Sequence, residues 1–293
     1  MFKQRMTIIK KQNFPNERDL YGVKNVRLVD CTFQGEEDGE SALKETENVE
    51  LDSCYMDLRY PLWHGDGVKL DGVTMTENCR AALWYTKNIR VKNGKLLGIK
   101  ALRECDGADI VKSEIVSPEF GWKSKNIALA DCSIKSEYLF LMAENISLKG
   151  VKFEGKYSFQ YVRNMTLENC MLDTKDAFWH TENVTVKNSE VKGEYLGWYS
   201  ENLTFENCLI TGTQPLCYCK NLKLINCRTE GTDLAFEYSD VQADIKGEIL
   251  SVKNPRSGSI EADRIREIIY TDDSKYKCEA QIKSGANHKA TRN

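Results

Sequence analysis

The chain has 293 residues and a formal net charge of -3, with 41% of its residues hydrophobic and 29% charged. This balance provides no basic surface of the kind that binds nucleic acid. No apolar run approaches the roughly 20 residues of a membrane span, and the first residues do not resemble a leader. We therefore expect no nucleic-acid partner, no membrane partner and a cytoplasmic location.

A repeat of fixed period runs through most of the chain. Asparagine recurs every 19 residues, and each one opens the same pattern of alternating apolar and polar residues. Earlier repeats are slightly longer or begin with glycine, and the last is degenerate. The repeats begin at Asn25, Asn48, Gly67, Asn88, Gly107, Asn126, Asn145, Asn164, Asn183, Asn202, Asn221 and Asp240. A period of this length is typical of a solenoid, in which stacked repeats turn each position into a column.

Each repeat contains three short runs in which apolar and polar residues alternate, as in half-buried strands. Turn-forming asparagine, aspartate or glycine separates the runs. We predict an all-β fold, a single-stranded right-handed parallel β-helix of about eleven coils with three short strands per coil. Residues 1–21 are interpreted as an N-terminal cap and 22–273 as the β-helix domain, with degenerate coils from about 240. Residues 274–293 are interpreted as a polar tail.

The cysteines follow the repeat. Six of the eleven stand at one repeat position, where other coils place valine or serine, so we expect small buried side chains. An odd number and the expected cytoplasmic location favour free thiols. A bridge between stacked cysteines such as Cys208 and Cys227 remains open, because stacked coils lie about 4.8 Å apart.

Three adjacent positions in the third run form the columns of interest. The first, the inner column, is wholly apolar and is predicted to point inward. It reads Leu43, Leu62, Leu83, Leu102, Gly121, Phe140, Phe159, Phe178, Gly197, Leu216 and Ala235. The second, the tryptophan column, contains all five tryptophans and is predicted to point outward between small residues. It reads Lys44, Trp63, Trp84, Arg103, Trp122, Leu141, Gln160, Trp179, Trp198, Cys217 and Phe236.

Exposed apolar ribbons of this size mark interaction sites. The flat indoles favour stacking on a carbohydrate ligand, with Lys44, Arg103 and Gln160 as hydrogen-bonding groups. Alternatively, a terminal segment or a second protomer covers the ribbon, and the protein is a self-associating scaffold, a homodimer. A third interpretation inverts the alternation and places the tryptophans in the core, which would bury Lys44 and Arg103.

The third position, the edge column, carries polar and aromatic side chains beside the turn. It reads Glu45, His64, Tyr85, Glu104, Lys123, Met142, Tyr161, His180, Tyr199, Tyr218 and Glu237. If the protein is an enzyme, the likeliest catalytic group is Glu45, His64 and Glu104, with His64 as general base. Glu45 and Glu104 would stand about 14 Å apart, too far for a glycosidase carboxylate pair.

Several segments together resemble an uncharacterised bacterial family, the domain of unknown function 3737, within the pectate-lyase-like parallel β-helix group. They are Glu17–Leu20, Gly39–Glu45, Tyr60–His64, Arg80–Tyr85, Lys175–Trp179, Glu194–Trp198 and Ser251–Gly258. The resemblance covers most of 5–270 and implies a fold without an established activity. The aspartate cluster of pectate lyases and the aspartate motifs of polygalacturonases are missing, so activity does not transfer.

The function expected from the sequence is binding of a carbohydrate or similar ligand along the tryptophan face, without cofactor or metal. A self-associating scaffold and a lyase or hydrolase with a non-standard site are the alternatives, so enzymatic activity stays open. The candidate ligand-binding residues are Lys44, Trp63, Trp84, Tyr85, Arg103, Trp179, His180, Trp198 and Tyr199.

Overall fold

A computed structural model describes residues 6–35, 40–285 and 289–292. These residues form an all-β parallel solenoid of about 14 turns with a spacing of about 19 residues, and they contain no helix. The parallel β-solenoid is confirmed, whereas the expected number of about eleven coils is too low. Right-handedness stays a prediction. Within the described chain, no helix has the length and apolar character needed to cross a membrane.

The chain forms two compact units, 1–147 and 148–293, which are described separately. Unit 1 contains two long ladders of parallel strands, one on each of two sides of the turn, and one separate pair of short parallel strands. Its strands are β1 Thr7–Lys10, β2 Lys24–Val29, β3 Thr32–Phe33, β4 Glu47–Asp52, β5 Tyr55–Met56, β6 Asp66–Asp71, β7 Thr74–Met75, β8 Leu83–Trp84, β9 Lys87–Lys92, β10 Lys95–Leu96, β11 Leu102–Arg103, β12 Asp106–Val111, β13 Glu114–Val116, β14 Lys125–Ala130 and β15 Ser133–Glu137. Strand β16, Glu144–Lys149, spans the boundary between the units.

Unit 2 repeats the two ladders and ends in longer strands. Its strands are β17 Lys152–Lys156, β18 Arg163–Glu168, β19 Met171–Asp173, β20 Glu182–Lys187, β21 Glu190–Lys192, β22 Glu201–Glu206, β23 Leu209–Thr211, β24 Leu222–Glu230, β25 Asp240–Lys253, β26 Ser257–Tyr270, β27 Gln281–Ser284 and β28 Lys289–Arg292. Both β27 and β28 pair in parallel with β26, so the polar tail contains two strands.

The N-terminal residues also contribute to the ladders of unit 1. Strand β1 pairs in parallel with β2, with Thr7 opposite Val26. Further along, the backbone N–H of Leu20 donates to the Ala42 carbonyl at 2.9 Å. Residues 6–22 therefore add a turn to the solenoid. Of the charged insertion after Phe33, residues 36–39 lie outside the described chain.

The repeating asparagines are structural. Those at the start of each turn have left-handed backbones, with φ of 57° at Asn183 and 55° at Asn202. Their side chains form an amide ladder, in which Asn202 donates to Asn183 at 2.9 Å and Asn221 donates to Asn202 at 2.7 Å. Asparagine tolerates this conformation better than most residues do, and the ladder satisfies its amide groups. The 19-residue period is therefore the spacing of the turns.

The prediction of three strands per coil is wrong for the third side. Among the described residues, the regular coils have only the short strands β8 and β11 on that side, and the long strands β25 and β26 reach it at their C-terminal ends. Elsewhere left-handed residues alternate with others, as at Tyr157, Phe159 and Tyr161 with φ of 57°, 61° and 57°. Positive φ is incompatible with an extended strand, so the third side is a stack of turns.

Candidate functional site

The inner column points into the core, as predicted. Leu62, Leu83 and Phe178 each have 0% of their surface exposed. Small members of the column make room for larger neighbours, since a Cβ on Gly197 would lie 2.7 Å from Cδ2 of Leu216. The inverted alternation, with the tryptophans in the core and this column outside, is therefore wrong.

The tryptophan column is half-buried, not fully outward as expected. The small residues expected to flank it on an outer face are buried, for example Ala82 and Thr86 at 0% and Ser200 at 1% exposure. The cause is the left-handed backbone, which breaks the two-residue alternation that an extended strand would impose. The tryptophans therefore do not form an open ribbon of ring faces.

Each tryptophan hydrogen-bonds to the equivalent backbone position in the next turn. Its indole N–H donates to the backbone carbonyl of the residue four positions before the edge-column residue of the next turn. That acceptor residue has a positive φ in every case, including Gln214. The bonds join Trp63 to Ala81, Trp84 to Lys100 at 2.6 Å, Trp122 to Tyr138 at 2.8 Å, Trp179 to Tyr195 at 2.6 Å and Trp198 to Gln214 at 2.8 Å. Four of these bonds are part-buried and that of Trp122 is exposed. A carbonyl that is partly shielded from water loses free energy without a donor, so the bond gives the column a structural role.

Two other members of the column act in the same way. The Gln160 amide donates to the Asp176 carbonyl at 3.1 Å. The Cys217 thiol lies near the Gln214 and Pro215 carbonyls of its own turn, at 3.6 and 3.7 Å, and also reaches the Leu234 carbonyl of the next turn at 3.7 Å. Asp176 and Leu234, the acceptors in the next turn, again have positive φ. The position thus selects for a donor that reaches the next turn, and tryptophan is one way to supply it.

In unit 1 the column is a continuous stack of rings and cations. Trp63 and Trp84 lie parallel, with centroids 5.3 Å apart and planes at 3°. The Arg103 guanidinium lies 5.0 Å from the Trp84 ring and 5.5 Å from the Trp122 ring, while the Lys44 ammonium lies 5.9 Å from Trp63. Lys44 and Arg103 therefore contact indole faces that were expected to be open to a ligand.

We expect Arg103→Lys to destabilise unit 1 despite the conserved charge. A planar guanidinium fills the space between two indoles, whereas an ammonium cannot stack on both. With about 0.5–1 kcal/mol for each cation–π contact, the free energy of unfolding should fall by about 1–2 kcal/mol in urea denaturation. Arg90→Lys is the matched control, because Arg90 is exposed on β9, and it should change the value little. Equal effects in the two variants would contradict a role for the sandwich.

The three catalytic candidates stand on successive or alternate turns of unit 1 without forming a reactive group. A hydrogen bond to Glu45 raises the pKa of the Tyr21 hydroxyl, and Glu104 pairs with Arg103 at 3.4 Å. His64 stacks on Tyr85 with centroids 4.9 Å apart. Glu104 lies two turns from His64, about 10 Å at the spacing of stacked strands. Their catalytic role stays a prediction that no contact between them supports.

The edge column carries an aromatic stack in unit 2. Tyr161 and His180 have centroids 4.8 Å apart, His180 and Tyr199 5.0 Å, and Tyr199 and Tyr218 4.7 Å, with planes within 13° of parallel. We call these four residues the ring ladder. Their positions repeat with the turns, so neighbouring turns hold each ring in place. Inside the ladder neighbouring rings cover both faces of each ring, so only the polar ring edges face solvent.

The polar groups of the ring ladder are free to bind. Within the described chain, the hydroxyls of Tyr161, Tyr199 and Tyr218 and the His180 imidazole form no side-chain hydrogen bond to protein, while Tyr161 and Tyr199 are each 47% exposed. Burial lowers the pKa of His180 and raises the pKa of Tyr218 to about 12. His180 and Tyr218 are therefore uncharged at neutral pH.

The stack of rings continues past Tyr218, but the residue that follows it is one position later than the sequence repeat predicts. The sequence placed Phe236 in the tryptophan column and Glu237 in the edge column, but Phe236 is only 1% exposed and belongs to the inner column. The Tyr218 N–H donates to the Glu237 carbonyl, as the Tyr199 N–H does to that of Cys217. One extra residue after Asn221 thus places Tyr238 next to Tyr218, with centroids 5.7 Å apart.

A segment near the C-terminus covers this end of the ladder. The Tyr276 ring meets the edge of Tyr238 with centroids 5.1 Å apart, and the Lys275 N–H donates to the Tyr238 hydroxyl at 3.2 Å. Arg256 lies 5.8 Å from the Tyr276 ring and pairs with Asp240. Among the described residues, this segment therefore covers Tyr238, the ring that follows Tyr218.

The residues offer no metal centre. No group of three or more histidine, cysteine, aspartate or glutamate side chains in the described parts of the chain is arranged to hold an ion. Residues 7–283 match the family described as protein of unknown function (DUF3737). The chain belongs to this family. Among curated proteins, none matches this DUF3737 chain.

Solved structures similar to this DUF3737 protein are β-helix proteins of low identity. The tailspike of Escherichia coli bacteriophage HK620, solved with a pentasaccharide, is 8% identical, with 95% of this chain and 70% of that chain covered and a TM-score of 0.48. PfbA, a surface adhesin of Streptococcus pneumoniae, is 10% identical, with 91% and 83% covered and a TM-score of 0.46. A mannuronic acid specific polysaccharide lyase from human gut microbiota is 8% identical, with 98% and 91% covered and a TM-score of 0.35. Nothing about activity is transferred from them.

Of the nine ligand-binding candidates, the ring ladder contains only His180 and Tyr199. Tyr85 stacks on His64 in unit 1, and the other six belong to the tryptophan column. Tyr161 and Tyr218, which complete the ring ladder, were not among the candidates, although both stand in the edge column. The available signal was an aromatic residue in four consecutive turns at one column position.

Proposed function

We propose that this DUF3737 protein binds an uncharged, hydroxyl-rich ligand, a neutral oligosaccharide chain, along the ring ladder of unit 2. The observation that carries the proposal is the row of polar ring edges without protein partners, held in register by stacking. Tyr161, His180, Tyr199 and Tyr218 repeat at 4.7–5.0 Å. The tryptophan column supports this surface from below and is not the contact surface itself.

Preorganisation favours binding at such a row. Each ring is fixed by its neighbours before a ligand arrives, so little side-chain entropy remains to be lost on association. Tyrosine combines a rigid body with one donor and acceptor group, and a neutral imidazole offers one donor and one acceptor. A chain of sugar hydroxyls matches a row of such groups, whereas the ring faces inside the ladder are covered by the neighbouring rings.

Charge argues for an uncharged ligand. His180 and Tyr218 are neutral at pH 7, because burial lowers the pKa of His180 and raises that of Tyr218, and the ladder contains no lysine or arginine. An acidic saccharide would lose water from its carboxylates without gaining a cation at the ladder. We therefore propose binding without catalysis, and cytoplasmic location remains a separate prediction.

Calorimetric titration with cellopentaose and maltopentaose, with a galacturonate pentamer as acidic comparison, tests the proposal. We expect a neutral pentasaccharide to bind and the acidic one to bind more weakly. Tyr161→Phe combined with Tyr199→Phe removes two hydroxyls and should weaken binding by about ten- to a hundredfold, at about 0.5–1.5 kcal/mol per hydrogen bond. Tyr55→Phe, an exposed tyrosine on β5, is the matched control and should bind as the wild type does.

The self-association alternative makes a different prediction for the same proteins. Light scattering would show a dimer that the double variant turns into a monomer. That result, together with absent or unchanged saccharide binding, would overturn the proposal and support a scaffold. Tighter binding of the galacturonate pentamer would also overturn the assignment to neutral ligands.

A further inference from the structure

A short segment of unit 2 lies at the end of the ring ladder. Residues 271–280 join β26 to β27 without forming a strand, and most of them are exposed. We call this segment the strap. Its middle contacts Tyr238, the ring that follows Tyr218, through Tyr276 and Lys275. The strap is therefore placed to affect how far a ligand can extend along the row of rings.

The turn at 254–258, which stands out in the sequence, anchors both ends of the strap. Asn254 is 0% exposed, and its amide donates to the Thr271 hydroxyl at 2.9 Å and accepts from the Thr271 N–H at 3.0 Å. At the other end, the Glu279 N–H donates to the Arg256 carbonyl at 2.9 Å. Separating Thr271 from the strand would leave a buried amide without partners, which is costly. The ends of the strap are therefore fixed.

The middle of the strap is held by weaker contacts. The Tyr276 ring meets the edge of Tyr238 and lies 5.8 Å from the Arg256 guanidinium, which pairs with Asp240. The bond from the Lys275 N–H to the Tyr238 hydroxyl is 3.2 Å long and exposed, and Tyr276 is itself 39% exposed. Exposed contacts of these kinds contribute little each. The middle can therefore leave Tyr238 while both ends stay attached.

The contacts with the strap set Tyr238 apart from the ring ladder. The rings from Tyr161 to Tyr218 lie within 13° of parallel, whereas Tyr238 is tilted by 57° from Tyr218. The Tyr238 hydroxyl also accepts a hydrogen bond from the strap. Tyr238 therefore does not extend the row of evenly spaced, free ring edges.

We infer that the strap limits the length of saccharide that the ring ladder accommodates, with Tyr276 as the residue that closes the row after Tyr218. This inference rests on the proposed function, since it concerns the same row of ring edges. A chain that follows the ladder past Tyr218 meets a tilted ring whose hydroxyl already contacts protein. Further sugars therefore gain little, and Tyr276 determines specificity for chain length.

Calorimetric titration with the series from cellotriose to cellohexaose, and with maltooligosaccharides of the same lengths, tests the inference. In the wild type, affinity should rise with chain length and then level off. Tyr276→Ala should leave the affinity for the shortest chains unchanged and tighten binding of the longest about two- to tenfold, the contribution of one further hydrogen bond. Adding Tyr238→Phe should remove this gain. Lys277→Ala is the matched control, because Lys277 pairs only with Glu279 of the strap, and it should bind as the wild type does.

Hydrogen exchange at the Lys275 amide reports release of the strap without any ligand. Tyr276→Ala and Tyr238→Phe should each accelerate this exchange, and Lys277→Ala should not. Faster exchange in Tyr276→Ala with an unchanged dependence of affinity on chain length would overturn the inference and leave the proposed function standing. Unchanged exchange in Tyr276→Ala would also overturn it. Absence of saccharide binding by the wild type would instead overturn the proposed function, and the inference with it.

Discussion

Phe178→Ala should lower the free energy of unfolding by about 3–5 kcal/mol, the usual cost of removing a buried phenylalanine. Phe178 is 0% exposed. Its ring stacks on Phe159 with centroids 5.0 Å apart and meets the edge of Phe205 at 6.2 Å. Because both neighbouring turns pack against the Phe178 ring, the cavity left by its removal cannot close unless a neighbouring turn moves.

Urea denaturation followed by circular dichroism measures this change. Met171→Ala is a suitable control, because Met171 is 54% exposed on the outer face of β19 and should lose little stability. A loss below about 1 kcal/mol for Phe178→Ala would contradict inward packing of the inner column.

Trp198→Ala should be nearly as destabilising, by about 2–4 kcal/mol, although Trp198 is only half-buried. The substitution leaves the Gln214 carbonyl without its indole donor at 2.8 Å, at a cost of about 1–3 kcal/mol. It also removes the parallel stack with Trp179, whose centroid lies 5.3 Å away and is worth about 0.5–1.5 kcal/mol. Stability therefore depends on a side chain that looks like a surface ligand in the sequence.

Trp198→Phe separates the two contributions. Phenylalanine keeps an aromatic ring for the stack but has no N–H. The free energy of unfolding should therefore fall by about 1–3 kcal/mol, the cost of leaving the Gln214 carbonyl without the indole donor. Measured by the same urea denaturation, an unchanged stability in Trp198→Phe would show that the indole bond is dispensable.

Much of the fold could be predicted from the sequence because its signal is periodic. The asparagines every 19 residues indicate where each turn begins. The position that is apolar in every repeat from Leu43 to Leu216 identifies the inner column. Both follow from rules that hold in any stacked repeat. The number of turns could not be read in the same way. The first turn keeps the spacing, with Thr7 opposite Val26, but has Met6 where later repeats begin with asparagine or glycine. The long strands β25 and β26 pair without keeping the period, as Asp240 does with Ser257.

The shape of the third side could not be predicted because its residues break the usual conformational preferences. Tyr161, Phe178 and His180 all adopt positive φ, which is uncommon for side chains with a Cβ and rare for bulky ones. A rule based on strand alternation therefore placed the tryptophan column too far outside. Hydrogen bonds from the indoles and stacking of the rings offset the local backbone cost.

The proposed site lies on the side of the turn that the sequence indicated, but in the column next to the tryptophans. The tryptophans are conspicuous in the sequence, yet their N–H groups and much of their ring faces are used by neighbouring turns. The next residue in each turn, as Tyr199 after Trp198, presents its polar edge to solvent. The backbone φ determines which of two adjacent aromatic side chains presents its polar group to solvent, and a sequence pattern does not specify that φ.

The central claim is this division between the two columns, and a comparison of Trp198→Phe with Tyr199→Phe tests it directly. Each variant removes one polar group from adjacent residues. We predict that Trp198→Phe lowers the melting temperature but leaves the affinity for the neutral pentasaccharide unchanged, whereas Tyr199→Phe weakens binding without changing the melting temperature. Weaker binding in Trp198→Phe with an unchanged melting temperature, and no effect in Tyr199→Phe, would contradict the account.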